Sequence, residues 1–374
     1  MCEKVCIITT VHKAFDIRIF HKEAKALAKA GYDVTLICLH DKNDFVDGIK
    51  IIGLSMPLSR FHRIFGSTFR FFKAALKCKA DIYHFHDPDF LIFGLMLKLF
   101  TKAKVIYDIH EDYLMTIATK QWLPSFSRNA IASIYGVLEK ISAMLLDGVI
   151  PAGLEIGERL RPISRKMSVI QNFPTLDEFM LNTNSNRSIQ SSRRIIAFGG
   201  ISKARSIVEI IEAMGLISDN LDARLILGGK SDSVDLEKEL SQISGWKRVD
   251  YLGVIPRQKM EEIMLSSDIS LVLYSPKPNH YDVRSNRFYE SLAVGLPVIV
   301  SDFPKWRRMV EECSCGLAVN PEDPKAIATA IEYLLTHSDE AREMGNRGKQ
   351  AVLTKYNWLS ESKKLLAFYS DILK

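Results

Sequence analysis

Short, almost uninterrupted apolar runs alternate along this chain with longer segments in which apolar residues recur every three or four positions. In the first half, Val5–Thr10, Val34–Leu39, Ile49–Ile52, Asp81–Phe85, Val105–Asp108, Gly148–Ala152 and Ser168–Ile170 read as strands. Between the first two, Phe20, Ala24, Leu27 and Ala28 mark one face of a helix over Ile19–Ala30, stopped by Gly31; Asn129–Leu146 reads as a second, longer helix. Strands this apolar are buried on both faces. In a β–α–β rhythm that predicts a parallel sheet with helices on either side.

The rhythm breaks at Asn172-Phe173-Pro174 and dissolves into a polar tract ending near Ser192. A second series follows, with strands at Ile195–Phe198, Leu225–Leu227, Val249–Leu252, Ile269–Leu273, Val298–Val300 and Leu317–Val319. Helices are predicted between them at Ile207–Leu216, Met260–Ser266 and Ala326–Leu335. The prediction is therefore α/β, with two doubly wound domains, 1–172 and 193–357, joined by a linker over 173–192. A length of 374 residues suits two cores rather than one. Open sheets of this kind bind ligands beyond the carboxyl ends of their strands, and two facing sheets would share a cleft there.

Composition changes this picture little. No run of about 18 apolar residues is present, which argues against a membrane span, and the first strand begins too early for a secretory signal. The six cysteines lack metal-site spacing and fit a reducing cytoplasm. Charge matters more. Residues 1–170 hold 24 Lys/Arg against 17 Asp/Glu, so the first half is where an anionic partner is expected. Within it, residues 60–79 hold six Lys/Arg and five Phe without one acid, which suits an anionic membrane surface. The alternative is an amphipathic helix that packs Phe61, Phe65, Phe69 and Phe72 on the sheet. No nucleic-acid motif accompanies the segment, so nucleic acid is not an expected partner.

Two segments of the second half carry chemistry. Gly199 and Gly200 end a strand just before a helix, and Arg205 stands ahead of that helix. Glycines admit close backbone approach, a helix N-terminus favours negative charge, and a guanidinium can hold phosphate oxygens bidentately. The second segment runs from Asp282 to Asp302. There Asn286 is the predicted N-cap of a helix closed by Gly295 and Pro297, which places Glu290 one turn in, before an apolar strand.

At these residues the chain resembles the retaining glycosyltransferases of the GT-B fold, family 4. Their Glu-x7-Glu motif, running into E-x-x-A-x-G-x-P-V-I-x-S, is matched by Asp282-x7-Glu290 with Ala293, Gly295, Pro297-Val298-Ile299 and Ser301. The resemblance implies that Glu290 contacts the nucleotide ribose and Asp282 the transferred sugar. It implies base recognition by backbone near Gly253, and a C-terminal helix, 358–374, that returns to the first domain. The family's phosphate-binding Arg and Lys correspond to Gly200 and Arg205. One cation is therefore missing, and Arg287 is the first candidate to replace it, ahead of Arg284 and Lys203.

In the first half, Asp16 and Arg18 follow the first strand and are candidates for the cleft, with helix capping as the plain alternative for Asp16. His86 and Asp87 are expected to line the same cleft. Asp87-Pro88-Asp89 has the D-x-D form that holds metal in another transferase fold, but the resemblance implies a metal-independent enzyme with no cofactor. His110 is the catalytic candidate of this domain, because the family has a His at such a position near the reacting sugar; a structural His is the competing reading. The implied activity moves a hexose or N-acetylhexosamine from a nucleotide diphosphate sugar, UDP-sugar before GDP-mannose, to a saccharide or lipid-linked acceptor. Cell-surface polysaccharide or glycolipid synthesis, in the cytoplasm or at the inner membrane face, is the expected setting. The alternatives are a sugar-nucleotide epimerase of the same architecture and a non-catalytic nucleotide- or carbohydrate-binding protein.

Overall fold

The computed structural model describes residues 2–55, 66–119, 125–176, 193–277, 280–281 and 285–374. They form two compact units, residues 1–172 with 358–374, and residues 173–357. Phe173 packs edge-to-face with Tyr289 and Tyr356, so the first residues after Asn172 already belong to the second core.

The first unit begins with β1 (Lys4–Lys13) and α1, which runs in wide π-type turns over Ile17–Ala24 and as a regular helix over Lys25–Lys29. There follow β2 (Asp33–Leu39), β3 (Asp44–Val46), β4 (Ile49–Leu54), α2 (Thr68–Cys78), β5 (Ile82–Phe85), α3 (Leu91–Phe100) and β6 (Lys104–Ile109). The series ends with α4 (Tyr113–Thr119), α5 (Ser125–Leu145), β7 (Gly148–Pro151) and α6 (Leu154–Leu160). The sheet order is β3-β4-β2-β1-β5-β6-β7, parallel except for β3. Side chains alternate across it. Val5, Ile7, Ile82 and Ile106 pack under α1 and the C-terminal helix, whereas Cys6, Ile8, Tyr83, Phe85, Val105 and Tyr107 pack under α2, α3 and α5.

Two readings of the first half need correction. Hairpin β3–β4 was not predicted, although Asp47-Gly48 is a signal for it; both residues have positive φ, 52° and 79°, as a two-residue hairpin turn requires. Ser168–Ile170 is not a strand. It lies beside β7 through one isolated bridge, Val149 to Met167, and through the Ser168 N–H to Val149 O and Ile170 N–H to Pro151 O bonds, too short a pairing to make a strand.

The second unit holds β8 (Arg193–Phe198), α7 (Ile207–Leu216), β9 (Ala223–Gly228), α8 (Val234–Ser241), β10 (Val249–Gly253), α9 (Arg257–Leu265) and β11 (Ile269–Val272). Then come α10 (Asn286–Ala293), β12 (Val298–Ser301), α11 (Pro304–Cys313), β13 (Gly316–Val319), α12 (Pro324–Thr336) and α13 (Ser338–Thr354). Its all-parallel order, β10-β9-β8-β11-β12-β13, reverses direction between β8 and β11. The last helix, α14 (Trp358–Leu373), buries Leu365, Phe368, Tyr369 and Ile372 in the core of the first unit. Among the described residues, no helix is long and apolar enough to cross a membrane.

Candidate active site

The pocket of the second unit sits where its sheet reverses, the position at which open α/β sheets bind ligands. Ala197 to Ile201, Arg205, Ile207, Leu271 to Leu273 and Arg287 line it. Three neighbouring strands end at or just before a glycine here: β8 before Gly199, β9 at Gly228 and β10 at Gly253. Gly199 N–H bonds Gly228 O at 2.9 Å, and Gly229 N–H bonds Gly253 O at 2.7 Å. Gly199, Gly229 and Gly253 have φ of 131°, 151° and 63°. A Cβ on Gly229 would lie 1.6 Å from Gly199 O, so no other residue fits there. Gly229 was absent from the predicted site, because its partner is thirty residues upstream. Gly200 faces open space.

Arg205 turns over this glycine edge. Its Nη1 would lie 2.7 Å from a Cβ on Gly199, and its guanidinium stacks 4.9 Å from the Tyr274 ring centre. Tyr274 is held by Ser301, whose Oγ accepts from Tyr274 N at 2.7 Å and donates to Tyr274 O at 2.9 Å. Thus the serine of the E-x-x-A-x-G-x-P-V-I-x-S stretch positions an aromatic ring, and the ring positions the arginine. No carboxylate neutralises Arg205 among the described residues. Its charge faces the pocket with the N-terminus of α7, whose cap residue Ser206 is fully buried.

Glu290 is 5% exposed on α10. The cap of this helix is Ser285 rather than Asn286, which is its first helical residue, and Gly295 closes it at φ 77°. Arg257 Nη1 donates to Glu290 Oε1 at 2.8 Å, and Arg287 Nη1 donates to Oε2. A carboxylate has about four lone-pair sites, which leaves capacity for ligand hydroxyls. Arg287 both holds Glu290 and lines the pocket. Lys203 instead pairs with Glu239 at 2.6 Å on the exposed side of its loop. Arg257 was not predicted; nothing near it in sequence marks it. Asp282 and Arg284 lie outside the described residues.

The first unit also gathers polar groups at its own switch point, between β1 and β5, but it buries them. Arg18 is 4% exposed. Its Nη2 donates to both oxygens of Asp108 at 2.8 and 3.0 Å, its Nη1 to Ile170 O at 3.0 Å, and its Nε lies 2.9 Å from Glu23 Oε1. Burial would raise Asp108, but Arg18 and His84 hold it well below the usual carboxylate range. Burial and the Asp108 charge push Glu23 well up, despite Arg18. The arrangement is a buried, nearly neutral network, so Arg18 does not face a cleft as predicted. His86 and Asp87, 0% and 2% exposed, do not line an open surface either.

Asp87 Oδ2 accepts from Thr9 Oγ1 and Thr10 N at 2.7 Å, and from Val11 N at 3.3 Å; Asp89 accepts from Thr10 Oγ1 at 2.5 Å. The D-x-D thereby ties down Thr9–Val11, where β1 runs past its regular register with β2 and β5. A different grouping, Glu23, His84, His86 and Asp108, brings one ligand atom from each within 4.8 Å. That donor set is chemically able to hold a divalent cation. In this fold Arg18 contacts both of its carboxylates and supplies the positive charge.

His110 sits at the outer edge of the network. Its Nε2 is 2.9 Å from His86 Nδ1, and its side chain is 14% exposed. Burial drives its pKa down to about 3, so at neutral pH it is an uncharged hydrogen-bonding group. His12, 5.4 Å away between ring centres, behaves oppositely. Burial lowers it, but a hydrogen bond to Asp16 and the charges of Asp87 and Asp16 outweigh that and raise it. Asp16 caps α1 through the N–H groups of Arg18 and Ile19. It stays about a quarter exposed beside His12, a residue the prediction omitted.

In α2, the described part of the basic aromatic segment, Phe71 and Phe72 are buried and Phe69 is exposed. Phe61 and Phe65 lie outside the described residues.

Residues 18–177 match the profile "Glycosyltransferase Family 4" and residues 182–351 match "Glycosyl transferases group 1". The chain belongs to glycosyltransferase family 4. An uncharacterised glycosyltransferase of Methanocaldococcus jannaschii is 24% identical, over 92% of this chain and 91% of its own. The GDP-mannose:cellobiosyl-diphosphopolyprenol alpha-mannosyltransferase of Xanthomonas oryzae is 22% identical, over 79% and 75%. Among solved structures, sucrose-phosphate synthase from Thermosynechococcus elongatus superposes with TM-score 0.78 at 19% identity over 99% of both chains. HepE of Anabaena in complex with UDP-glucose superposes with TM-score 0.74 at 11% identity, over 99% of this chain and 100% of its own. The fold of this glycosyltransferase is GT-B, with both sheets parallel apart from β3.

Proposed function

We propose that this glycosyltransferase transfers a hexose or N-acetylhexosamine, with retention and without a metal, from a nucleoside diphosphate sugar to a saccharide or lipid-linked acceptor. The observation that carries the reading is Arg205, an unneutralised guanidinium over the Gly199–Gly229 edge, with Arg287 and the N-terminus of α7 on the same pocket. Such an array supplies the positive charge a departing diphosphate needs, which is the work a metal does in other transferases. Glu290 and, from the resemblance, Asp282 are proposed to hold the ribose and the sugar. Gly253 is proposed to give backbone contacts to the base.

In the proposed reaction the acceptor hydroxyl attacks the anomeric carbon on the face from which the diphosphate leaves. The new glycosidic C–O bond forms as the sugar–phosphate C–O bond breaks, and the hydroxyl proton passes to a diphosphate oxygen. The protein orients the partners and stabilises the leaving group. His110, neutral, is proposed to hydrogen-bond a sugar hydroxyl rather than to carry a proton. The GDP-mannose named for the Xanthomonas oryzae relative makes that donor the first to test beside UDP-sugars.

The test is a panel of UDP- and GDP-sugars with saccharide and lipid-linked acceptors, run with and without a chelator, with the product anomer read by NMR. Chelator-resistant transfer with retained configuration supports the proposal. An inverted product, or activity abolished by chelator and restored by a divalent ion, overturns its finer part. Epimerisation of the donor without acceptor overturns the transferase reading itself.

A further inference from the structure

The helices that cover one face of the first sheet carry an outer surface unlike the rest of the molecule. Together α2, α3, α4 and α5 contain 49 residues. Of the 24 exposed large apolar side chains among the described residues, 12 lie on these four helices, so the apolar surface is concentrated rather than scattered. On α5 they form a stripe. Phe126, Ile134, Val137, Ile141 and Met144 are 88, 69, 59, 37 and 45% exposed, and their spacing of three, four, seven and eight residues puts them on one helical face. The opposite face of α5 is committed to the core, through Tyr135, Ala143 and the buried Ser142. Leu99 and Phe100, at the end of the adjoining α3, add 76% and 63% exposed side chains.

Charge on these helices is of one sign. Arg70, Lys73, Lys77 and Lys140 are exposed, Lys98 is paired with both oxygens of Asp147 at 2.8 Å, Arg128 is half-buried, and the one acid of these helices, Glu139, is fully buried against Tyr135 and Arg159. A second copy of the chain docking face to face would set cations against cations. A surface that offers an apolar interior beneath anionic groups matches both features: the stripe enters it, while Lys and Arg reach back to the headgroups.

We infer that the outer face of α2–α5, centred on the α5 stripe, docks on an anionic lipid bilayer. A stripe along 21 helical residues extends about 30 Å, enough to set the first unit at a fixed orientation on the membrane plane. The inference stands independently of the transferase reading, because it rests on exposure and charge alone.

The experiment is flotation of the full chain with vesicles of phosphatidylcholine alone and of phosphatidylcholine with 30 mol% phosphatidylglycerol, at low and at high salt. The unmodified chain is expected to float with the anionic vesicles, less so at high salt, and poorly with neutral ones. Ile134→Glu combined with Val137→Glu should weaken partitioning at least tenfold. It should leave the thermal melt and transfer to a soluble acceptor unchanged, because both side chains point away from the core. Failure of the unmodified chain to float with anionic vesicles, or equal flotation of the variant, overturns the proposal. So does a dimer in light scattering that the variant abolishes, since the face would then belong to a second copy.

Discussion

Arg18 and Arg205 each follow the first strand of their own unit by a few residues, and each lies near the point where its sheet reverses. There the likeness ends. Arg18 is buried between Asp108 and Glu23, with every direction of its fork directed at protein. Arg205 lies on an aromatic ring at the rim of a glycine-edged pocket, with no carboxylate to neutralise it among the described residues. The same residue type at the same place in an α/β unit thus becomes a structural cation in one case and a ligand-facing cation in the other. What decides between them is a carboxylate far away in sequence.

The largest effect should come from removing the structural cation. Arg18→Met leaves Asp108 buried with only His84 and His110 beside it and no permanent cation, and breaking a buried pair on one side costs about 3–5 kcal/mol. Urea unfolding of the first unit should show that loss, with partial recovery in Arg18→Met/Asp108→Asn, where the orphaned charge is also removed. A loss below about 1 kcal/mol would mean that Arg18 is not the cation the network depends on.

Arg205 should respond the other way round. Arg205→Ala is expected to lower kcat/KM by about two to three orders of magnitude, corresponding to about 2–4 kcal/mol of leaving-group stabilisation. The unfolding transition should hardly move. If the melt falls while the rate survives, the contrast with Arg18 collapses and Arg205 is structural too.

The contrast also marks what was legible beforehand. Both parallel sheets could be read from apolar runs, because strands buried on two faces leave no alternation to misinterpret, and α7 was bounded to the residue. Gly199, Gly200 and Arg205, which the fold brings to one pocket, could be grouped beforehand because their neighbours in sequence are also their neighbours in space. Glu23, Asp108, Arg257, Tyr274 and Gly229 could not, since each acquires its role from a partner on another strand or helix. Arg18, His86 and Asp87 were assigned to an open cleft for the same reason: their exposure depends on what α1 and α14 cover.

The two histidines at the edge of the first unit sharpen the point through pH. His110 is about 3 when folded and near 6.5 when unfolded, so below pH 6.5 the unfolded chain binds the extra proton. The stability of the first unit should therefore fall as pH drops from 6.5 toward 3. His110→Asn should reduce that slope by about 1.4 kcal/mol per pH unit within the window. His12, whose folded value is raised, stabilises fully below 6.5 and loses that contribution as pH rises through its folded value. His12→Asn should flatten the alkaline side instead. Two-dimensional NMR of the ring protons gives both titrations directly, and a His110 midpoint near 6.5 would remove the buried character assigned to it.

The smallest effect should be at Lys203, two residues from Arg205 and equally basic. In sequence, Arg205 matches the family's retained phosphate-binding cation, and Lys203 is one of the candidates for the cation missing at Gly200. In the fold, the Lys203 ammonium reaches Glu239, and both partners are about half exposed or more. Exposed pairs of this kind contribute under about 1 kcal/mol and weaken with salt. Lys203→Ala should leave kcat/KM within about twofold and the melt nearly unchanged, while Arg205→Lys, which keeps charge but not the planar fork, should lose a large part of the rate. Equal losses for Lys203→Ala and Arg205→Ala would place both cations on the diphosphate. They would also show that the Glu239 pair opens when the donor arrives.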